Sequence, residues 1–305
     1  HSGHAPHAPR PRRSVTVARE TRVLRGIAYV VLATFLFVCM NTGIKLLRPH
    51  LPTVELIWAR SLGHLLFIVG LFGPGHGGWR LFVTQKPGLQ LARSLLLLAS
   101  TSFFFVARGL VPLADATAVS FTSPFLVALL AGPVLGERVR LGHWLAIGAG
   151  FVGALIVIRP GAAGSNPWLV LVLGSAVCYA AYQVLTRRVG AYDPPETSVT
   201  YSALVGTLLL SVVVPFYWAT PASLAHWLIL LASGPLGGLG HYFVARALQW
   251  GPASVISPFH YVQLVGAAVM GYLAFGDAPS AWTWVGASVI IASGLAIAWR
   301  ETRPR

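Results

Sequence analysis

The sequence predicts an all-α membrane fold of ten transmembrane helices, arranged as two inverted five-helix repeats. Three observations carry that expectation. Only 10% of the 305 residues are charged while 55% are hydrophobic, and mean hydropathy is +0.70. A soluble domain carries about a quarter charged residues, so this chain has too few to cover a water-facing surface. Apolar runs of 18 to 23 residues recur along nearly the whole length, each long enough to cross a hydrocarbon core of about 30 Å. Finally, a set of short motifs returns in the same order in the second half.

The elements follow in order. The first run, Gly26–Leu46, is preceded by six arginines and closes at the turn RPHLP. Val54–Leu71 is the second and gives out at GPGHGG. Leu89–Ala107, Ala116–Leu135 and Leu141–Ile158 complete the first set, which stops at RPGAAGSNP. Pro167–Leu185 opens the second set and ends before DPPE. Ser198–Trp218 closes at ATPAS, His226–Ala245 follows, Ala253–Phe275 closes at GDAPS, and Ala281–Trp299 is last. The interruptions are Gly- and Pro-rich turns, and none is long enough to fold as a soluble catalytic domain. Residues 1–24 are expected to be a disordered basic tail, 25–160 the first repeat and 165–300 the second. No cleavable leader is read, because the first apolar run is too long for one and lacks a clear cleavage site.

Charge placement gives the expected orientation. One side collects Arg10, Arg12, Arg13, Arg19, Arg22, Arg25, Arg80, Lys86, Arg93, Arg138, Arg140, Arg187, Arg188, Arg246, Arg300, Arg303 and Arg305, and the other only Lys45, Arg48, Arg108 and Arg159. The positive-inside rule then puts both termini in the cytoplasm. Every tryptophan except Trp58 falls near an expected span end, where indole prefers the interface. The net charge of +14 therefore reports orientation, and no nucleic-acid partner is expected. Cys39 and Cys178 both lie in apolar runs, so they read as small buried thiols, and no Cys/His spacing suggests a metal site.

The duplication is visible in the residues. Phe104-Phe105-Val106-Ala107-Arg108-Gly109-Leu110 returns as Tyr242-Phe243-Val244-Ala245-Arg246-Ala247-Leu248. Ser123-Pro124-Phe125 is answered by Ser257-Pro258-Phe259, Leu135-Gly136-Glu137 by Phe275-Gly276-Asp277, and Trp144 by Trp284. Five spans per copy is an odd number, so the second copy enters the membrane upside down. Inverted repeats are a recurrent design of secondary transporters.

On these motifs the chain resembles the drug/metabolite transporter superfamily, in its ten-helix EamA type. Pro124 followed by Leu135-Gly136-Glu137-Arg138, and Val255–Phe259 followed by Gly271–Asp277, carry the likeness over about residues 25–300. The resemblance implies a central cavity, no metal, no nucleotide or other cofactor, an inner-membrane location, and a solute of the riboflavin, S-adenosylmethionine or amino-acid type. It also implies an acidic residue at the ends of spans four and nine, which Glu137 matches and Asp277 shortens. A homodimer stays open.

Polar residues inside spans are costly and nominate a site. Arg60 is read either as a cavity cation for an anionic solute or as a structural partner of Glu55. Pro258, His260 and Gln263 mark a bent span nine, the last two sharing a face. His241 and Tyr242 in span eight, Tyr179 and Gln183 in span six, and Asn41 in span one are further binding candidates. Trp58 is a candidate for stacking on a planar solute. Pro124, Pro235 and Pro258 are expected kinks or hinges. Ser120, Thr122 and Ser123 either line the cavity or satisfy helix carbonyls, with the second preferred. Glu137 and Arg138 are expected to cap or bridge at a helix end, as is Asp277. Ala149 and Gly153, and Ser288 and Ala292, are expected to let spans five and ten pack tightly.

The function class that follows is a secondary carrier of a small polar metabolite, working by alternating access in a lipid bilayer. No glycine loop precedes Lys45 or Lys86 as a phosphate cradle would require, which disfavours a pump. The alternative is an intramembrane enzyme acting on a lipid or peptide, for which Ser175 after Gly174 is the one candidate nucleophile.

Overall fold

A computed structural model describes residues 12–107, 110–111, 116, 119–137, 141–158, 168–276 and 280–302. Arg10, Arg108, Asp277, Arg138, Arg140, Arg159, Arg303 and Arg305 lie outside them. The described residues form helices and turns with no strand among them. They comprise α1 (Arg12–Leu47), α2 (Thr53–His76), α3 (Pro87–Ala107), α4 (Ser123–Leu135), α5 (Leu141–Ile158) and α6 (Leu169–Val189). The second half holds α7 (Pro195–Ser211), α8 (Leu224–Trp250), the single turn α9 (Ala253–Ile256), α10 (Val262–Phe275) and α11 (Ala281–Thr302).

Six helical stretches are long and apolar enough to cross a membrane: Thr21–Leu47, Thr53–Gly75, Pro87–Ala107, Leu169–Val189, Leu224–Trp250 and Ala253–Phe275. Their outer faces present side chains such as Phe35, Leu66 and Leu173. In water such a surface would be an aggregation site, and in lipid it is the expected one. The protein is a multi-pass membrane protein.

Several boundaries differ from expectation. α1 begins at Arg12, ahead of the first expected span at Gly26, and no Gly or Pro interrupts residues 12–24. α8 extends to Leu224–Trp250 straight through Pro235. α7 stops at Ser211 and yields to a 3₁₀ turn at Val214–Phe216, where Pro215 removes a donor. The two proline motifs break their spans as expected. Residues 121–122 form a turn and α4 starts at Ser123 with Pro124 in its first turn, while Ser257–Tyr261 is 3₁₀ between α9 and α10. Both broken spans end alike, on a glycine in the left-handed region: Gly136 at φ 68° and Gly276 at φ 69°.

α1 packs on α8 and α10, α3 on α6 and α7, α2 on α7 and α8, α4 on α6, and α5 on α11. The crossing of α2 and α8 is the tightest. A Cβ on Gly234 would come within 2.4 Å of the Gly63 carbonyl carbon, so the two backbones touch with no room for a methyl group. Along the same stripe, Gly237 and Gly238 leave space that Arg60 and His64 fill, and on the face toward α1 Gly240 leaves space for Phe37. In the α5–α11 pair the close approach is Gly150 against Ser293 Oγ, where a Cβ would sit at 2.9 Å. The expected pair Ala149/Gly153 with Ser288/Ala292 is thus displaced, and Ser288 is exposed and bonded to its own helix at Trp284.

Two sets of contacts define the ends of the bundle. At one end Asp193, after α6, accepts from the Gln85 backbone N–H at 3.0 Å and from the Thr84 hydroxyl, both before α3. Glu137, after α4, accepts from the N–H groups of Ala253 and Ser254 at 3.2 and 3.3 Å and from the Ser254 hydroxyl at 2.9 Å. Arg187 lies 3.8 Å from Glu137 and donates to the Leu248 carbonyl. Glu137 thus caps and bridges, as the sequence suggested. At the opposite end Glu55 accepts from Ala219 N–H at 2.9 Å, and His50 stacks on His226.

Candidate functional site

A cavity of about 130 Å³ opens within the bundle. α1 contributes Phe37, Met40 and Asn41, and α3 contributes Leu97, Ser100, Thr101, Phe104 and Phe105. These are three-and-four spacings, so each helix turns one stripe inward. α6 adds Ser175, Ala176, Tyr179 and Gln183, each again about a turn apart. Arg60 enters from α2, His241 from α8, Ser120, Phe121, Ser123 and Pro124 from the break at and just before the start of α4, and His260 and Gln263 from the broken span nine. The lining of α3 lies in its half nearer Ala107, away from the end where Glu137 and Asp193 make their contacts, and that of α6 runs from Ser175 past the helix midpoint to Gln183.

Seven sequence candidates therefore converge: Asn41, Arg60, Tyr179, Gln183, His241, His260 and Gln263. Trp58 and Tyr242 do not. The Trp58 indole N–H donates to Ser211 Oγ at 2.9 Å and its ring meets Trp218 edge-on, so it joins the other tryptophans near the helix ends. Two positions along a helix turn a side chain by about 200°, and Arg60 takes the inward face. Tyr242 donates to Glu196 Oε1 at 3.2 Å and packs on Phe72, about 100° around α8 from His241.

Arg60 is 6% exposed. Its Nη2 sits 2.7 Å from His241 Nε2, its Nη1 is 3.4 Å from the Thr101 hydroxyl, and its Nε faces the Met40 sulfur at 3.1 Å. Glu55 is not its partner, because five residues along a helix place the two about 140° apart and Glu55 turns to Ala219. Guanidinium has five N–H donors, so one on each Nη is left without a partner among the described residues. No cavity-lining residue among those described is acidic.

A second buried arginine went unread in the sequence. Arg93, counted there as a charge near the membrane surface, is 0% exposed. Its Nε donates to Thr186 Oγ1 at 2.8 Å, Nη1 to the Ser198 carbonyl at 2.6 Å and Gln90 Oε1 at 3.2 Å, and Nη2 to the Tyr182 oxygen at 3.2 Å. Gln90 passes the connection to Asp193 Oδ2 at 2.9 Å. Arg93 thus engages four of its five donors and has a carboxylate one residue removed, whereas Arg60, among the described residues, engages three and has none. Gln90 is three residues before Arg93, whose other partners lie 89 to 105 positions away, a separation that leaves no local signal.

The opposite wall is built around span nine. Ser257 Oγ–H donates to Gln183 Oε1 at 2.9 Å, and His260 Nδ1–H donates to the Ser257 carbonyl at 3.1 Å. The Tyr179 hydroxyl lies 3.5 Å from His260 Nε2. Gln183 is 0% exposed, and its Nε2 has no hydrogen-bond partner among the described residues. A buried amide left so costs about 1–3 kcal/mol, which marks it as a donor reserved for something else.

The hydroxyls near Pro124 serve both readings. Ser120 donates to the Ala116 carbonyl at 2.8 Å, Thr122 to Val119 at 2.9 Å and Ser123 to Ala176 at 3.0 Å, and Ser120 and Ser123 also line the cavity. Ser175 donates to the Ser100 carbonyl at 2.8 Å, and Ser100 donates back to the Ser175 carbonyl at 3.0 Å. This reciprocal pair fastens α3 to α6, and among the described residues the Ser175 hydroxyl is engaged by Ser100 and not by a base. His64 is the other residue missed: it lies one turn beyond Arg60 and stacks parallel to His241 at 6.2 Å.

The EamA-like transporter family model matches residues 24–159 and again 166–299. The chain belongs to the EamA-like transporter family. The two matches meet at the cavity, Arg60 coming from the first and His241 from the second. Among characterised relatives, the pseudopaline exporter CntI of Pseudomonas aeruginosa is 32% identical over 278 residues, 89% of this chain and 95% of that one. The riboflavin transporter of Vibrio cholerae is 30% identical over 221 residues, 72% and 74% of the two chains. The S-adenosylmethionine uptake transporter of Rickettsia prowazekii is 25% identical over 284 residues, 92% and 94%. A crystal structure at 20% identity superposes with a TM-score of 0.73 over 91% of this chain and 98% of its own, which speaks for the fold. Family and relatives are transporters, not enzymes.

Proposed function

We propose that this EamA-like chain is a secondary carrier that moves a small polar metabolite across the inner membrane by alternating access, through the cavity around Arg60. The observation that carries the reading is that side chains from both matched halves meet in one cavity, while Glu137 and Asp193 tie chain segments together at one end of the bundle. The solute class is that of the relatives: a flavin, S-adenosylmethionine or an amino-acid-like compound.

The packing supports ten spans in two inverted copies. If α1 corresponds to α6, α2 to α7 and α3 to α8, then the α1–α8 pair answers α3–α6, and α2–α8 answers α3–α7. The α1–α10 contact likewise answers α4–α6, while α2–α7 and α5–α11 are each their own counterparts. Two halves of opposite orientation can exchange outward- and inward-open arrangements about one fixed site. With the amino terminus in the cytoplasm, the end that Glu137 closes faces inward and the cavity is the outward-facing one.

Purified protein in proteoliposomes, offered riboflavin, S-adenosylmethionine and amino acids in turn, is the test. Saturable uptake of a member of this panel is expected. Absence of saturable flux for every solute sinks the carrier reading.

A further inference from the structure

We propose that the cavity is a carboxylate site, in which Arg60 supplies the counter-charge, the Gln183 amide supplies a second donor, and an apolar or aromatic body of the solute rests against Phe37, Phe105 and Phe121. The inference deepens the carrier reading above and rests on it for the solute's passage, though not for its binding.

The two buried arginines show why. Arg93 directs hydrogen bonds to four acceptors and reaches Asp193 through Gln90. A carboxylate therefore stands one amide away from it. Arg60 is buried to nearly the same degree but meets a thioether, a distant hydroxyl and an imidazole nitrogen. None of these carries a negative charge. A buried guanidinium without an anion is expensive, and this one lines a cavity in which no described residue is acidic.

The free donors fit the missing partner. Arg60 keeps one unpaired N–H on each Nη, the fork that matches a planar carboxylate. Gln183 Nε2, fully buried on the wall of the same cavity, is a second donor without an acceptor. Were its amide assigned the other way round, an unpaired oxygen would stand there instead, and Ser257 would still hold the inner atom. Most of the surface turned to the cavity is apolar, with Phe37 from α1, Phe105 from α3 and Phe121 from the turn before α4. Such a wall favours a solute with an apolar body behind its charged head.

The experiment compares matched pairs on the full chain purified in detergent: 3-phenylpropionate against 3-phenylpropionamide, butyrate against butyramide, and phenylalanine against phenylalaninamide. Unfolding temperature is followed against ligand concentration, since a ligand that binds only the folded state raises it. At least one carboxylate is expected to raise it while its amide does not. Arg60→Gln is expected to weaken that carboxylate's apparent affinity by roughly tenfold or more, the scale of a charged hydrogen bond, and Arg60→Lys to retain part of it. Equal response to acid and amide in every pair, including no response to either, overturns the proposal on the parent protein alone, whatever the folding of the variants. Flux in proteoliposomes is read in parallel. Saturable flux of a neutral or cationic solute, undiminished in Arg60→Gln, overturns the carboxylate site and leaves the carrier. Carboxylate-selective stabilisation without flux of any solute keeps the site and removes the carrier.

Discussion

Arg60 Nη2 lies 2.7 Å from His241 Nε2, and that contact fixes the state of the imidazole. Guanidinium can only donate, so Nε2 is the acceptor and the ring proton sits on Nδ1. From there it points to the Tyr182 oxygen, 3.3 Å away, which also receives an N–H from Arg93 at 3.2 Å. The two buried arginines are thus joined through His241 and Tyr182, and onward through Gln90 to Asp193.

The first prediction concerns that joint. His241→Gln keeps an acceptor near the position of Nε2, whereas His241→Leu removes it and strands a buried guanidinium N–H. The leucine variant is expected to lose about 1–3 kcal/mol, and the glutamine variant markedly less. Thermal unfolding in detergent measures both. Equal losses would mean that ring packing against Phe37, at 4.9 Å, matters more than the hydrogen bond.

Arg93 gives the second prediction. Arg93→Met leaves the Ser198 carbonyl, Thr186 and Gln90 without their shared donor inside the bundle. About 3 kcal/mol or more should be lost, with lower yield and an earlier unfolding transition. Solute preference among folded molecules should stay as in the parent, because Arg93 does not line the cavity. A change of preference at unchanged stability would contradict the structural role assigned to it.

What the residues disclosed, and what they hid, follows from range. The breaks at Pro124 and Pro258 were legible because proline acts on its own turn. The convergence of Tyr179 with Gln183, and of His260 with Gln263, was legible because residues three or four apart share a face. The same arithmetic argued against pairing Arg60 with Glu55, and against placing Trp58 and Arg60 in one cavity. Arg93 was hidden for the opposite reason: it stands near the start of a span like any surface arginine, and only partners from α6 and α7 make it a core residue. The helical course of residues 12–24 was masked by their charge, which speaks to solvation more than to backbone preference.

The third prediction tests the backbone contact of α2 with α8. Gly234→Ala places a methyl group within 2.6 Å of three Gly63 and His64 backbone atoms, and backbone cannot rotate away. Separating the helices would also loosen the seats of Arg60 and His64 on Gly237 and Gly238. A loss of about 1–3 kcal/mol is expected, together with reduced flux. Gly148→Ala is the control, since nothing lies within 4 Å of its added carbon, and it should leave stability unchanged or raise it by about 0.5–1 kcal/mol.

The fourth prediction addresses the closed end. Glu137 gathers Ala253 N–H, Ser254 N–H and the Ser254 hydroxyl, which ties α4 to the start of span nine. The broken turn at Ser257–Tyr261 lies just beyond, so movement there would carry His260 with it. Glu137→Ala removes a cap worth about 1 kcal/mol, and the closed arrangement should then be less populated. The reporter is Val255→Cys, at a buried position that packs with Val23, Ala128 and Ile147, in a chain whose two native cysteines are replaced by serine. A membrane-impermeant maleimide applied from the side of residues 251–252 should label it slowly in the otherwise unaltered protein and about fivefold or more faster with Glu137→Ala. A shift of one end toward opening should also lower labelling of a cysteine at Ser120, on the cavity wall, from the other side. Faster labelling at 255 with no change at 120 would describe local fraying of α9, and only the opposed changes match two ends that open in alternation.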